Sequence, residues 1–438
     1  MSRSNPLWLV FGASGYVGRN LVPHLLAQGR HVRAAARQIS PLKAEGWMGV
    51  DLVQADALDS SSLSNALNGV EVAFYLVHSM GSGRGFPERD RKAAQNFAQA
   101  AEVAGVKRIV YLGGLAPKQA DTEHLASRVE TGEILRAGAV PVIELRAGII
   151  IGAGSAAFEV MRDLTAHLPV MVTPHWISVS SPPIALPDLL NDLIDLAEVA
   201  EAEGQVLETG GPERLTYEAM MRRLAKALGR RDPIIIAVPL LTPQLSSYWL
   251  DLVTGVPAPI ARALIGGLRH DLTADDQSLR ALVPRQCLSF DEALTLALDS
   301  EKQILAGDRW REGAFDLRGY RHDISFYGKR LTLQRSSCVS LEILWSRLEQ
   351  LIKRGESFKL WRRYREKVNQ GMIVRSSIPS PGKGGLEITL TSDAKGGSSL
   401  VLTQHWHPAG VWGLLYWFIL WPLRAIALRV LLSHLTRS

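Results

Sequence analysis

The chain has 438 residues, of which 47% are hydrophobic and 21% are charged, a composition that excludes a disordered chain and allows two or three domains. The net charge of +6 is unevenly distributed, because residues 308–438 carry 21 Lys and Arg against 10 Asp and Glu, whereas residues 1–307 carry 28 against 33. The last third also holds seven of the 11 tryptophans, so we expect a second domain there with different surroundings.

Two features predict the compartment. Cys287 and Cys338 match no metal or redox spacing, which favours a reducing environment with inert thiols. The first apolar run leads straight into a glycine loop, which is not the pattern of a signal peptide. We therefore expect a cytoplasmic protein, with a peripheral position at the inner membrane face left open.

The segment LWLVFGASGYVG (7–18) organises the first half of the chain. A short apolar run stops at Gly12, Gly15 and Gly18 follow at the spacing G-x-x-G-x-x-G, and an apolar helical pattern begins at once. Such a strand–turn–helix brings backbone N–H groups and a helix N-terminus to a dinucleotide pyrophosphate. The sequence therefore predicts nucleotide binding at this turn.

The next strand, HVRAAAR (31–37), bears on the choice of cofactor. NAD-binding domains place an acidic residue at the end of this strand, where it binds the ribose 2′-hydroxyl. This chain has Ala36 and Arg37 there, and an arginine can pair with a 2′-phosphate. NADPH is the expected cofactor, with NADH and a merely solvated Arg37 as the alternatives.

Strand and helix patterns alternate six times between residues 7 and 152. DLVQADALD (51–59), VEVAFYLVH (70–78), KRIVYLGGL (107–115) and VIELRAGIIIG (142–152) read as strands, and helical patterns over 88–104 and 123–137 separate the last three. The run at 70–78 is nearly all apolar, as expected of a strand buried on both faces. This alternation predicts a doubly wound parallel α/β sheet.

These segments, together with ELRAGIIIGAGSAAFEVMRDL and ETGGPERLTYEAMMRRLAKALG, resemble an atypical, NmrA-like member of the extended short-chain dehydrogenase/reductases. The resemblance implies a Rossmann domain with a small substrate lobe over residues 1–300. It also implies an α+β helix-grip (START-like) domain over residues 308–438, joined by a linker near 299–311. In the lobe, 182–200 and 216–229 would be helices and 238–257 would wall the substrate pocket. The cofactor-binding residues we expect are Gly12, Ser14, Gly15, Tyr16, Val17, Gly18, Arg37, Asp56, Ala57, Val77 and Arg128.

The catalytic pair of this family is missing. Such reductases use Tyr-x-x-x-Lys on the helix after the fifth strand, but none of the nine tyrosines here has Lys four residues later. His124 and Arg128 have the same spacing in EHLASRVETGEILR, so they share one helix face. We expect His124 to donate a proton near neutral pH and Arg128 to hold the ribose. The alternative is a polar helix start with a solvated Arg128.

His78, at the end of the fourth strand, is a second catalytic candidate, because ligands in doubly wound sheets lie beyond the strand ends. A packed or water-bonded loop histidine is the alternative. Tyr75 is expected in the core. His405 and His407 alternate with Trp406 on a predicted strand, where we interpret them as surface or pocket-lining residues without a metal.

The last third contains a strand pattern over 320–337, an amphipathic helix over 341–352, and a hairpin from 384–393 to 398–408 across DAKGG. The basic stretch KRGESFKLWRRYREK (353–367) suggests a solvated helix face with its aromatics packed inward, ahead of a lipid surface or a nucleic acid. The final run, 411–435, is expected to be a buried helix. An interfacial anchor with Trp412, Trp417 and Trp421 at headgroup depth is the main alternative, ahead of a membrane span.

The pattern as a whole predicts an NADPH-dependent reductase acting on an apolar small molecule, such as a quinone, an enal or a lipid-like compound. The main alternative is a cofactor-binding sensor or assembly protein without turnover, ahead of a sugar-nucleotide epimerase, which usually needs the absent tyrosine. The expected partners are a nicotinamide dinucleotide, the apolar substrate and a membrane surface contacted by the second domain, with nucleic acid disfavoured.

Overall fold

The computed structural model describes residues 6–78, 85–117, 122–173, 175–237, 253–257, 260–261, 264, 270–303, 323–392 and 398–437. The chain divides into two compact units. The first consists of Met1–Arg162, Val170–Leu250 and Ala258–Gln303, and the second of Asp163–Pro169, Asp251–Pro257 and Ile304–Ser438.

A seven-stranded sheet forms the centre of the first unit, and all of its neighbouring strands are parallel. In spatial order its strands are β3 (Asp51–Gln54), β2 (His31–Ala36), β1 (Leu7–Phe11), β4 (Val70–Tyr75), β5 (Arg108–Gly114), β6 (Val142–Ala147) and β11 (Val206–Thr209). The strand order reverses between β1 and β4, so their carboxyl ends leave a crevice in which ligands bind in such sheets. The predicted Rossmann-type sheet is confirmed, and β11 extends it by one strand.

Helices cover both faces of this sheet. The helices up to Gln303 are α1 (Tyr16–Ala27), α2 (Ser40–Ala44), α3 (Ser60–Leu67), α4 (Phe86–Ala104), α5 (Glu123–Arg136), α6 (Ala156–His167), α7 (Leu186–Leu196), α8 (Tyr217–Ala227), α9 (Gln277–Leu282) and α10 (Phe290–Gln303). Of these, α1, α2, α7 and α9 contribute side chains to the core on one face of the sheet, and α3, α4 and α5 to the core on the other. Strand residues alternate between the two faces, so Trp8 and Val10 pack in one core and Leu9 and Phe11 in the other. Tyr75 is buried in the second core, as predicted.

The remaining strands of the first unit form three short pairs. They are β7 (Ile150–Ile151) with β10 (Ile184–Ala185), β8 (Val170–Thr173) with β13 (Ile234–Ala237), and β9 (Ser180–Ser181) with β12 (Leu215–Thr216). The predicted pocket wall at 238–257 lies largely outside the described residues. The predicted linker is wrong at its start, because α10 continues to Gln303, and residues 304–311 lie outside the described part.

The second unit is built on a five-stranded antiparallel sheet. Its spatial order is β14 (Lys329–Ser337), β18 (Ser398–Pro408), β17 (Gly382–Ser392), β16 (Gly371–Ser376) and β15 (Trp361–Lys367). Two helices accompany it, α11 (Leu341–Ser357) and α12 (Gly410–Leu435), and both contribute to the core on the sheet. The predicted hairpin is confirmed as the β17–β18 pair, with its turn outside the described residues.

The basic stretch at 353–367 is not one helix. α11 ends at Ser357, Lys359 adopts a positive φ of 55°, and β15 begins at Trp361. Phe358 is exposed rather than packed inward. The positive φ reverses the chain and ends the helix, so the charged residues are split between a helix end and an edge strand.

Helix α12 is only half buried, which corrects the expectation of a buried final helix. Leu414, Trp417 and Leu428 face the interior, whereas Trp412 and Ile419 leave 75% and 70% of their surfaces exposed. The helix is apolar all round, so its sequence could not show which face packs on the sheet. It is the one helix in the described ranges that is long and apolar enough to cross a membrane by length and composition.

The two histidines of β18 are fully buried, so the expectation of surface or pocket-lining residues is wrong. His405 Nε2 lies 2.9 Å from a carboxylate oxygen of Glu387 on β17, and His407 Nδ1 lies 3.1 Å from the Ser325 carbonyl oxygen. Sequence spacing placed no acid near them, because Glu387 approaches only across the sheet. The described residues contain no group of three or more side chains that could hold a metal ion.

Candidate functional site

The glycine turn between β1 and α1 is shaped by close backbone contacts. Gly12 has a φ of +97°, which favours glycine. A Cβ on Gly18 would lie 2.5 Å from the Gly12 carbonyl oxygen, whereas a Cβ on Gly15 would meet that oxygen at 3.2 Å. Gly15 caps α1 without a side-chain hydrogen bond. The turn therefore packs the helix tightly on the strand and leaves its N-terminus uncovered by side chains, as an anion site requires.

A cavity of about 350 Å³ begins at this turn and runs along the carboxyl ends of β4, β5 and β6. Its walls are mostly aliphatic, and Arg128 is the one permanently charged residue among the described residues that line it. Apolar walls with few polar groups are typical of small-molecule sites. Of the predicted site residues, those lining it are Gly15, Tyr16, Val17, Gly18, Val77, His78, His124 and Arg128.

Arg128 is held over the end of β5. Its guanidinium donates a 2.8 Å hydrogen bond to the Leu112 carbonyl oxygen, and a Cβ on Gly114 would lie 3.4 Å from Arg128 Nε. Gly114, at the end of β5, has no side chain to compete with the arginine for this space. Arg128 presents a fixed positive charge to the cavity.

His124 lies one helical turn before Arg128 and lines the same cavity. Both of its ring nitrogens are buried, and neither has a hydrogen-bond partner among the described residues. Burial, together with the Arg128 charge, lowers the pKa of His124 to about 4. The ring is therefore neutral at pH 7, and its two nitrogens are free to bond a ligand.

His78 follows β4 at the cavity wall, and its side chain is exposed. Surrounding protein atoms, then the charge of Arg128 and the His124 ring, lower the pKa of His78. Since water reaches the ring, solvent screens much of this effect. The structure brings His78, His124 and Arg128 to one cavity.

The other predicted cofactor residues lie nearby but do not line the cavity. Gly12 and Ser14 form the turn below it. Arg37 follows β2, is exposed and makes no hydrogen bond or ion pair with the described residues. Asp56 accepts a 3.0 Å bond from the Leu58 amide, and the Ala57 carbonyl oxygen accepts one of 2.9 Å from Asn96. These residues lie beyond β2 and β3, the side of the sheet that receives the adenosine half in such folds.

Three polar residues of the cavity wall were missed from the sequence: Ser155, Ser181 and Tyr217. The β9–β12 pairing brings the Ser181 segment beside the start of α8, where a side-chain hydrogen bond joins Ser181 to Tyr217. Burial raises the pKa of Tyr217, so the phenol stays protonated. No spacing rule links residues so far apart in the chain, and no sequence signal would have found them.

Comparison with known proteins agrees with this geometry. Residues 12–139 match a family described as NAD(P)H-binding. Over 288 residues the chain is 27% identical to a (4-alkanoyl-5-oxo-2,5-dihydrofuran-3-yl)methyl phosphate reductase of Streptomyces griseus, a match covering 62% of this chain and 89% of that protein.

Two solved structures share the fold. One is an NADPH-dependent quinone oxidoreductase of Escherichia coli in complex with NADPH, with a TM-score of 0.54 and 22% identity over 66% of this chain and 98% of that one. The other is the triphenylmethane reductase of a Citrobacter species with NADP(H), with a TM-score of 0.53 and 19% identity over 66% and 99%. The first unit therefore has a Rossmann fold, within which residues 12–139 match the NAD(P)H-binding family.

Proposed function

We propose that this NAD(P)H-binding Rossmann domain is an NADPH-dependent reductase of an apolar acceptor. The observation that carries the proposal is the cavity itself. It joins an uncapped helix N-terminus to aliphatic walls, with one fixed cation and a neutral histidine whose nitrogens have no partner among the described residues.

The residues present fit a dinucleotide. The turn from Gly12 to Gly18 offers backbone N–H groups to the pyrophosphate, and Arg37 is free to meet a 2′-phosphate. Arg128, fixed by Leu112, would hold the ribose near the reacting end. When bound, NADPH supplies a hydride.

The acceptor would lie against the aliphatic wall. Ile150, Val160, Met161 and Met221 contribute apolar surface, and the serines and Tyr217 supply the few polar contacts that orient a ligand. Quinone and dye reductases share this fold, which supports acceptors of this type.

His124 would act as a neutral hydrogen-bond donor rather than as a charged acid. A pKa of about 4 leaves a negligible imidazolium fraction at pH 7, so one ring N–H would polarise an acceptor oxygen. This revises the role suggested by the His124–Arg128 spacing. It also suits quinones and activated double bonds, whose reduction needs little help from a strong acid.

The first experiment is stopped-flow oxidation of NADPH with a panel of quinones and enals, with cofactor binding titrated in parallel. We expect tight NADPH binding and acceptor-dependent oxidation. Replacing His124 by Ala should slow oxidation about tenfold or more, whereas replacing the exposed His31 by Ala should leave it unchanged. No binding of NADPH or NADH would overturn the proposal.

A cofactor-binding sensor is the second candidate. It is favoured by the lack of any Tyr-x-x-x-Lys in the sequence. Tight NADPH binding without oxidation by any acceptor of the panel would favour the sensor. A change in protease protection on NADPH binding would then mark the segment that responds.

We also propose that the second unit is START-like and contacts the cytoplasmic face of a membrane. The order β14–β18–β17–β16–β15 with a C-terminal helix supports a helix-grip arrangement. The exposed face of α12 is rich in Trp, Ile, Leu and Val, and the helix carries no acidic residue, which suits an anionic lipid surface.

Flotation of the full chain with phosphatidylglycerol vesicles tests this contact. Changing Trp412 and Ile419 together to Glu should abolish flotation, and changing the exposed Val368 of the same unit to Glu should not. Equal flotation of both variants would overturn the proposed contact. If the unmodified chain does not float with the vesicles but forms a dimer that the first variant loses, the exposed face of α12 binds a second copy of the chain instead.

A further inference from the structure

The second unit contains a cavity of its own, with a volume of about 330 Å³. It lies between the antiparallel sheet and the helices α11 and α12, and most of its wall is aliphatic or aromatic. This volume is at the lower end of the range for small-molecule pockets. None of the predicted site residues lies in it.

Arg424 of α12 is the one charged residue among the described residues that line this cavity. Its guanidinium carbon lies 4.9 Å from the ring centre of Trp406 and 5.1 Å from those of Tyr416 and Trp417. Three aromatic faces therefore hold the charge in place.

The charge of Arg424 has no anionic partner in the described part of the chain. Its Nε is buried and has no hydrogen-bond partner among the described residues, and the guanidinium's side-chain hydrogen bond is to the Tyr416 hydroxyl. Burial lowers the pKa of Arg424, yet a guanidinium stays charged in proteins. A half-buried cation in an apolar cavity, without a carboxylate, is costly unless an anion neutralises it.

We propose that this cavity binds a small anionic amphiphile, whose acidic head pairs with Arg424 and whose apolar tail lies among the aliphatic side chains. Leu351, Leu386 and Leu431 line the space for the tail. The head is a carboxylate or a phosphate monoester, since both match the planar donors of arginine. This site goes beyond the proposed reductase activity, and neither depends on the other.

The test is isothermal titration calorimetry of the full chain with four ligands that share a ten-carbon tail: decanoate, decyl phosphate, decanol and decyltrimethylammonium. We expect one or both acids to bind at least tenfold more tightly than decanol, and the cation to bind least. A preference between the two acids identifies the head group.

Variants of α12 assign the site. Arg424→Gln should weaken binding of the preferred acid about ten- to hundredfold and leave decanol unchanged, whereas Arg424→Lys should retain part of the preference. Arg429→Gln, on the exposed side of the same helix, is the matched control and should bind like the wild type. Thermal melting checks that each variant folds.

Two outcomes would overturn the inference. One is equal affinity of the wild type for the acid and the alcohol. The other is a folded Arg424→Gln variant that retains the full affinity for the acid.

Discussion

The two cavities of this chain resemble each other in chemistry and differ in how they are built. Each is mostly apolar and presents one permanent cation, Arg128 in the first unit and Arg424 in the second. Arg128 donates a hydrogen bond to a backbone carbonyl oxygen at a strand end, whereas Arg424 is surrounded by three aromatic rings.

This difference shows that the position of a ligand site can be predicted from the strand order in one unit but not in the other. In a parallel sheet, ligands lie beyond the carboxyl ends of the strands, so the residues that follow β4 and β5 are candidates on the strand pattern alone. An antiparallel sheet with helices on one face has no such rule. Its cavity depends on which face of α12 packs inward.

The largest expected effect breaks the first site at its turn. Gly18→Val should cost about 1–3 kcal/mol of unfolding free energy and remove NADPH binding, because the added side chain collides with the Gly12 carbonyl and Ala13. Urea denaturation and a fluorescence titration measure the two effects.

Gly15→Ala is the matched comparison for that variant. Its Cβ would meet only the Gly12 carbonyl oxygen, at 3.2 Å, so the fold should be retained while the phosphates are kept from the backbone. Normal NADPH affinity in Gly18→Val would contradict the role given to this turn.

Replacing each of the two arginines by glutamine in turn tests whether the two cavities bind their ligands independently. Arg128→Gln should weaken NADPH binding about ten- to hundredfold and leave decanoate or decyl phosphate binding unchanged. Arg424→Gln should do the reverse. Calorimetry of both variants with both ligands gives the four affinities. If either variant loses affinity for both ligands to the same extent, the two cavities are not separate sites.

A smaller effect sharpens the choice of cofactor. Arg37→Ala should reduce NADPH affinity about tenfold and leave NADH affinity unchanged, because only NADPH carries the 2′-phosphate. Titrating both cofactors against both proteins checks this. An equal change for the two cofactors would place Arg37 elsewhere than at the 2′-phosphate.

The last prediction concerns pH and stability rather than ligand affinity. The pKa of His124 is about 4 in the folded chain and about 6.5 when unfolded, so acidification from pH 7 to pH 4 protonates the unfolded chain first and favours unfolding. His124→Asn should therefore lose about 2–3 kcal/mol less unfolding free energy than the wild type over this window. Urea denaturation at both pH values measures it, with the exposed His31→Asn as the control. An equal loss of unfolding free energy in the wild type and both variants would show that folding does not lower the pKa of His124.

The sequence predicted the first unit well because its signals are local. The glycine spacing, the buried strands and the i, i+4 relation of His124 and Arg128 each depend on a few adjacent residues. The structure then places both side chains, with His78, in one cavity.

What was missed depends on distant parts of the chain meeting. Ser181 and Tyr217 meet through the β9–β12 pair, and His405 meets Glu387 across two strands. The face of α12 could not be read from a helix that is apolar all round. The break after Ser357 depends on a single positive φ at Lys359, which charge patterning does not reveal.

The strand order of the parallel sheet also means that β6 is synthesised well before its partner strand β11. β11 pairs with β6 but is made only after α6, α7 and several short strands. At about 5–20 residues per second, the roughly 60 residues between them take about 3–12 seconds to synthesise. For that interval the backbone groups along one edge of β6 lack their native partner, so this newly made edge is open to pairing with another chain until β11 arrives.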